Sequence, residues 1–316
     1  MNLCRNAALK GGWVPLLFIT LVLIMTPHAY PALPDDLPQD FYFELSEGNI
    51  EGHTRIHNFG HNPSVGTTWE DMWDNGTAYP FLSSATKFNV SSTDADDDAS
   101  PPGTGAWNVT IYGLDANYLE INETVDLDGQ NPVTTVNEYI RVYRVIVVSA
   151  GSTGTNEGHI FVGTGPVTAG VPSNVYAEVI AGHGQTLMAI YTVPANKTAF
   201  LTMLYMTSDE DKRITFGLFL RPPGGAWNIK DYVHLYRQTF NLQYLPPRMI
   251  PQKTDIVMRA LASTAPAAVS GGFDLILVDN DKIGLSSPSP SDPTPIFAVV
   301  IASLGAALLM TMFGRR

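Results

Sequence analysis

Apolar and polar residues alternate with a period of two through most of the chain between Phe41 and Asn280. Trp107, Val109 and Ile111 alternate with Asn108, Thr110 and Tyr112. Leu119, Ile121, Val125 and Leu127 alternate with Glu120, Asn122, Thr124 and Asp126. Side chains of a strand point to opposite faces in turn, so this period predicts half-buried strands. Tyr139 to Val148 (YIRVYRVIVV) is nearly all apolar and β-branched, the pattern of a strand covered on both faces. Phe200–Met206, Ile214–Leu220, Val233–Tyr244, Ile256–Leu261 and Phe273–Val278 continue the series. Asp128-Gly129, Gly151-Ser152, Pro222-Pro223-Gly224-Gly225 and Gly271-Gly272 supply turn signals between them. Away from the two ends, no stretch holds a helical period beyond two or three turns. The body is predicted to be all-β.

The Gly- and Pro-containing stretch Gly163–Ser173 reads as the best internal boundary. Many short, evenly spaced strands favour two antiparallel β-sandwich, jelly-roll-like domains, at 38–165 and 174–283, over one barrel. No repeat of 20–50 residues marks a solenoid or propeller.

The ends differ from this body. Ile296–Phe313 is an unbroken apolar run of 18 residues, followed by Gly314, Arg315 and Arg316. As a helix it spans about 27 Å, close to the ~30 Å core of a bilayer, so a single C-terminal transmembrane helix is expected. The Arg pair places the 314–316 tail on the cytoplasmic side. At the other end Arg5 and Lys10 precede the apolar run Trp13–Met25, which predicts a signal peptide at 1–29. Its cleavage site is weak, because a cut after Ala29 or Ala32 meets Pro27 or Tyr30 where a small residue is preferred. An uncleaved N-terminal anchor is the alternative. Ser286–Pro295 (SSPSPSDPTP) is an extended, proline-stiffened stalk that would hold the body some 30 Å off the lipid.

Charge narrows the partners. Of 18 Lys and Arg, four lie in these end segments, leaving 14 against 30 Asp and Glu, about −16 for the exported part. Such a field repels phosphate backbones and argues against nucleic-acid binding. The one cysteine, Cys4, lies in the signal region, so the exported part must hold together by its core and not by disulfides.

Five Asn-x-Ser/Thr sequons occur, at Asn75, Asn89, Asn108, Asn122 and Asn196. Strand parity points Asn89, Asn108 and Asn122 away from the apolar face, where a glycan would be tolerated. The run Asp94, Asp96, Asp97, Asp98 offers hard oxygen ligands for Ca²⁺, but Gly105 stands where an EF-hand needs Glu and no helices flank it. A solvated acidic loop is the plainer reading. Asp126-Leu127-Asp128-Gly129 reads as a hairpin turn. His53, His57 and His61 recur every four residues, yet Gly52, Gly60 and Pro63 argue against a helix. In a strand they would spread over roughly 27 Å, too far for one ion.

No H-E-x-x-H, G-x-x-x-x-G-K-[ST] or G-x-S-x-G sequence is present, and Gly163-Thr164-Gly165 runs into Pro166 rather than a helix. No catalytic residue, cofactor or resident metal is therefore assigned. Trp69 and Trp73 in a polar, turn-like context (TTWEDMWDNG), and Trp227 with Tyr232 after a Pro-Gly loop (RPPGGAWNIKDY), are the recognition candidates. Capping the end of a β core is the competing fate of such aromatics.

Gly103–His159 resembles a block of a β-rich protein widespread in marine tailed phages and uncultured marine viruses (GTGA, GLDANYLEINETVDL, VTTVNEYIRV). GQTLMAIYTVPANKTAFLT, FLRPPGGAW and IPQKTDIVMRA are similar to later pieces of the same family. The resemblance implies a virion or other structural component and carries no catalytic residues. The signal peptide and anchor are not features of that pattern, and the C-terminus is also similar to archaeal surface-sorting tails.

The resulting expectation is a membrane-anchored viral structural protein, of virion-surface, capsid or spike type, acting in assembly and surface recognition. Its partners would be the membrane through Ile296–Phe313, further copies of itself or other virion proteins, and a glycan or host receptor. The alternative is a cellular, including archaeal, surface adhesin or glycan-binding protein. Either way the bulk of the chain lies outside the membrane.

Overall fold

The computed structural model describes residues 40–283, and strands are their dominant element. A short helix α1 (Phe41–Glu47) precedes β1 (His53–Val65) and β2 (Glu70–Asp71). Then follow β3 (Asn89–Ser92), β4 (Ala106–Leu114), β5 (Glu120–Asp126), β6 (Val133–Thr134), β7 (Arg141–Ala150), β8 (Ile160–Thr168) and β9 (Val171–Val179). The last group is β10 (Ile190–Thr192), β11 (Lys197–Ser208), β12 (Ile214–Arg221), β13 (Asn228–Leu235), β14 (Gln238–Ile250), β15 (Asp255–Ala262) and β16 (Ala267–Asp279). The all-β expectation holds. Among the described residues no helix is long and apolar enough to cross a membrane. The expected signal peptide, stalk, anchor and tail (1–29, 286–295, 296–313, 314–316) lie outside the described residues. The chain divides after Phe43, and the part from Glu44 onward forms one compact unit.

Four antiparallel sheets build that unit. Two of them, β1-β16-β11-β14 and β10-β15-β12-β13 with β2 beside β15, face a shared core. Leu201, Leu204, Leu275 and Phe273 come from the first sheet, and Phe216, Leu218, Ile256 and Met258 from the second. The other two, β6-β3-β8-β9 and β5-β4-β7, share a second core that includes Val90, Val109, Ile111, Val145, Ile160 and Val162. Ile190 and Val257 belong to this second core although their strands lie in the sheet β10-β15-β12-β13, so that sheet is covered partly on both faces.

The expected split at Gly163–Ser173 falls inside a hairpin. Val162 pairs with Ala177 and Thr168 with Val171, so β8 and β9 are neighbours in one sheet. The division runs through space and not through that sequence point. β1 joins β16 from His53↔Val278 to Val65↔Ala267, bringing the chain's early strand to the late ones. The segment carrying β3 to β9 is thus inserted between β2 and β10. Turn residues gave the position of a turn correctly, but a turn and a domain boundary share the same Gly/Pro composition.

An ion-pair network joins the two groups of sheets. Asp255 accepts from Arg141 Nε at 3.0 Å, from Arg221 Nη2 at 2.6 Å and from Thr192 Oγ1 at 2.6 Å. Arg141 on β7 also donates to Leu82 O and Ile140 O, both at 2.8 Å. Two guanidiniums around one buried carboxylate leave few polar atoms unpaired, which is the condition for burying charge at all.

Candidate functional site

The face of the sheet β10-β15-β12-β13 turned away from the first core gathers a cluster of aromatic side chains with Tyr232 exposed at its rim. Phe216, Leu218 and Leu220 point into the first core, so Thr215, Gly217, Phe219 and Arg221 must point out. Register then sets their neighbours: Gly217 opposite Tyr232 and Arg259, Thr215 opposite His234, Phe219 opposite Ile229. Trp69, just before β2, reaches across this face. Its ring meets Phe219 at 5.2 Å and Tyr232 at 6.1 Å, edge to face in both cases. Tyr232 meets His234 at 4.9 Å, and His234 Nδ1 lies 2.9 Å from Thr215 Oγ1.

Gly217 makes this packing close. A Cβ there would lie 2.7 Å from Phe219, 3.0 Å from Ile229 and 3.2 Å from Trp69, so the glycine leaves the depression that the three side chains fill. The outcome is a preformed apolar shelf with Tyr232 57% and Ile229 43% exposed at its rim. Rings with a hydroxyl and an imidazole beside them can stack on a flat apolar ligand face and hydrogen-bond at its edge.

Cations border the shelf. Arg259 lies over Phe219 at 4.8 Å and over Trp227 at 4.7 Å, and Arg221 over Trp227 at 4.6 Å and Phe81 at 4.5 Å. Arg259 Nε donates to Asp71 Oδ1 at 2.6 Å. Burial raises the Asp71 pKa above the ordinary carboxylate value, with Arg259 and the Tyr79 N–H opposing the rise. Trp227 itself is half-buried against the second core, with both arginines lying on its ring.

Of the four recognition candidates, Trp69 and Tyr232 meet on this face and Trp227 borders it. Trp73 does not belong there: it is 1% exposed, packs on Tyr79 and donates from Nε1 to Thr77 O at 2.5 Å. Its turn-like sequence context hid a core position. Thr215, Gly217, Ile229, His234 and Arg259 were not singled out from sequence, because only register reveals their shared face.

The acidic run is split by the fold. Asp97 is fully buried and accepts four hydrogen bonds, from Ser92 Oγ, Ala106 N, Glu157 N and Gly158 N, at 2.5 to 2.9 Å. It staples three loops together and has no lone pair directed to a cation. Asp98 caps Ser100 N. Asp94 and Asp96 instead converge with Glu157, their carboxylate oxygens within 4.8 Å of one another. Of the four weak Ca²⁺ candidates only Asp94 and Asp96 come together, with Glu157, a residue the sequence reading did not name. The three histidines lie along β1 as anticipated for a strand, His57 beside Asp274 at 2.6 Å and His61 beside Asp74 at 3.2 Å.

Asn122 and Asn196 are exposed, while Asn75 and Asn89 are half-buried and engaged with Glu178 and Gly165 O. Asn108 is also half-buried, and its Oδ1 is buried without a partner, so parity overstated its openness.

No protein-family model and no curated protein matches the chain. Two solved structures of infectious bursal disease virus align with it. That of the Gt strain has 9% identity over 76% of this chain and 78% of that one, with a TM-score of 0.19. That of the Gx strain has 10% identity over 71% and 72%, with a TM-score of 0.20. A likeness at this level carries no functional argument.

Proposed function

We propose that this chain is a membrane-anchored structural protein of a viral particle, displaying its β body for assembly and surface recognition. In this reading each facing pair of sheets acts as one sandwich. The apolar run 296–313 is the tether, the segment 286–295 the spacer, and no step is catalytic. The observation that carries the recognition part is the shelf of Trp69, Phe219, Tyr232 and Ile229 over Gly217. It lies outside both cores, and its side chains pack on one another. The sequence resemblance to phage-type structural proteins supports the viral setting.

The second reading is a cellular surface adhesin, favoured by the same shelf, since stacked Trp and Tyr suit the apolar face of a sugar ring. Immunogold labelling with antibody against the β body separates the two. Dense label on purified particles is the expected result. Label confined to host envelopes would overturn the viral reading in favour of the adhesin.

A further inference from the structure

A strand at the end of a sheet offers a row of unpaired backbone groups to any other strand unless it is short, covered, charged, bulged or broken by proline. Most of the sheet ends here are shielded in one of these ways. β6 and β10 are two and three residues long. β7 is covered on its free side, Val147 N donating to Gly184 O and Thr186 N to Val145 O. β1 lies against β10, where Asn58 Nδ2 donates to Ile190 O, and it carries Arg55 and Pro63. β5 carries Glu120, Glu123 and Asp126, and β9 carries Pro172 and two breaks in register. β13 places Lys230 at a break in its own register, next to Asp231.

β14 is different from Gln238 to Leu245 (QTFNLQYL), which has neither charge nor proline. This stretch pairs with β11 on one side and with no strand among the described residues on the other. Its guards, Pro246, Pro247 and Arg248, come only afterwards, where the register with β11 shifts. The side chains are also incompletely covered. Phe240, Leu242 and Tyr244 pack on the first core yet stay half-buried, and Thr239, Asn241 and Gln243 on the opposite face are exposed.

We propose that this edge pairs with β14 of a second copy, antiparallel about a twofold axis at Asn241. Two four-stranded sheets then join into one of eight. Across such an axis a residue meets itself or a near neighbour, so any charge would meet a like charge. The chain holds 30 Asp and Glu against 18 Lys and Arg, yet keeps this stretch neutral, which suits its own copy and offers nothing to a charged partner. In this pairing Asn241 faces its counterpart, Thr239 faces the second copy's Gln243, and Phe240 faces the second copy's Leu242. The outward backbone groups gain partners, and the half-buried apolar row continues across the junction. The inference is independent of the aromatic shelf and of the viral reading, and its failure would leave the labelling outcome unchanged.

The test uses the full-length chain with Cys4→Ser, so that one introduced cysteine reports on the contact. Under mild oxidation Asn241→Cys should give a disulfide-linked dimer, whereas Asn228→Cys, at an exposed position on β13, should not. Thr239→Cys and Gln243→Cys should each stay unlinked alone and link when coexpressed, since pairing sets 239 against 243. Without introduced cysteines, sedimentation in mild detergent should show a dimer. Asn241→Lys should raise its dissociation constant about tenfold while leaving the thermal melt in place. A monomer at every concentration, linkage as strong at 228 as at 241, linkage of 239 to itself, or an Asn241→Lys dimer of unchanged affinity would each overturn the proposal.

Discussion

Arg259 holds its guanidinium 4.7 Å from the ring centre of Trp227, while Arg221 lies 4.6 Å from the same ring. Two cations that are themselves held by Asp71 and Asp255 therefore lie against the indole. Trp227 also packs on the second core. This arrangement uses Trp227 for cohesion between the inserted segment and the sheet β10-β15-β12-β13, leaving Trp69 and Tyr232 for contact with partners.

Truncating Trp227 should thus be a stability change. Trp227→Ala is expected to cost about 3 kcal/mol, from lost packing and two cation–π contacts. Tyr232→Ala, at the exposed rim, should cost under about 1 kcal/mol. Urea unfolding of the two variants checks the contrast. Equal costs would place Trp227 among the recognition residues after all.

Asp97 gives a second contrast, within one acidic run. Each of its oxygens accepts two hydrogen bonds, three of the four donors being backbone N–H groups. Asp97→Asn replaces one acceptor by an NH₂ that must face a donor, whichever way the amide turns. The expected cost is about 3 kcal/mol, the range for lost charged hydrogen bonds plus an unsatisfied buried group. Asp96→Asn, at an exposed position, should stay within about 0.5 kcal/mol. Thermal melts of both in the presence and absence of Ca²⁺ also read whether Asp94, Asp96 and Glu157 hold the ion.

That contrast shows where sequence reading reaches its limit. Thr93-Asp94-Ala95-Asp96-Asp97-Asp98 is locally uniform, and nothing in it marks Asp97 as the buried member. The distinction comes from backbone donors at Ala106, Glu157 and Gly158, up to 61 residues away. The strands themselves were legible, because Val109, Ile111 and their like carry the alternation locally. Their partners were not: β1 meets β16 across some two hundred residues, and Arg141 meets Asp255 across 114. The recognition face was half visible. Trp69 and Tyr232 could be named from composition and context, but Gly217 acquires meaning only beneath them.

Buried tyrosines set an alkaline limit on stability. Burial pushes the Tyr79 phenol up to about 12, against a smaller opposing effect of the hydrogen bond its oxygen accepts from Val142 N, and pushes Tyr139 up to about 12 as well. Burial also raises Tyr143 and Tyr191. The unfolded chain releases these protons near pH 10 while the folded one retains them. Stability is therefore complete below about pH 10 and falls as pH climbs from there through the folded values. Phenolate absorbance should show these tyrosines ionising together with the loss of far-ultraviolet dichroism. Tyr79→Phe should flatten the decline. Ionisation of all tyrosines near pH 10 with the fold intact would contradict the burial seen here.

Gly217 tests whether the shelf is preformed. An added methyl there meets side-chain ends, Phe219 at 2.7 Å, Ile229 at 3.0 Å and Trp69 at 3.2 Å, so the neighbours can yield without moving backbone. At Gly272 the same methyl meets the carbonyl oxygen of Asn58 on the paired strand β1, which cannot yield. Gly217→Ala is accordingly expected to cost about 1–2 kcal/mol and Gly272→Ala about 3 kcal/mol or more. The diagnostic change is in Trp69: its emission should shift to the red in Gly217→Ala as the ring is lifted from the sheet, but not in Gly272→Ala under conditions where that variant is folded. If partner binding uses the shelf, Gly217→Ala should reduce it about as far as Tyr232→Ala does, because a lifted Trp69 removes the shape without removing the ring. Binding that survives Gly217→Ala but is lost in Tyr232→Ala would mean that the tyrosine hydroxyl, and not the stacked surface, is what the partner reads.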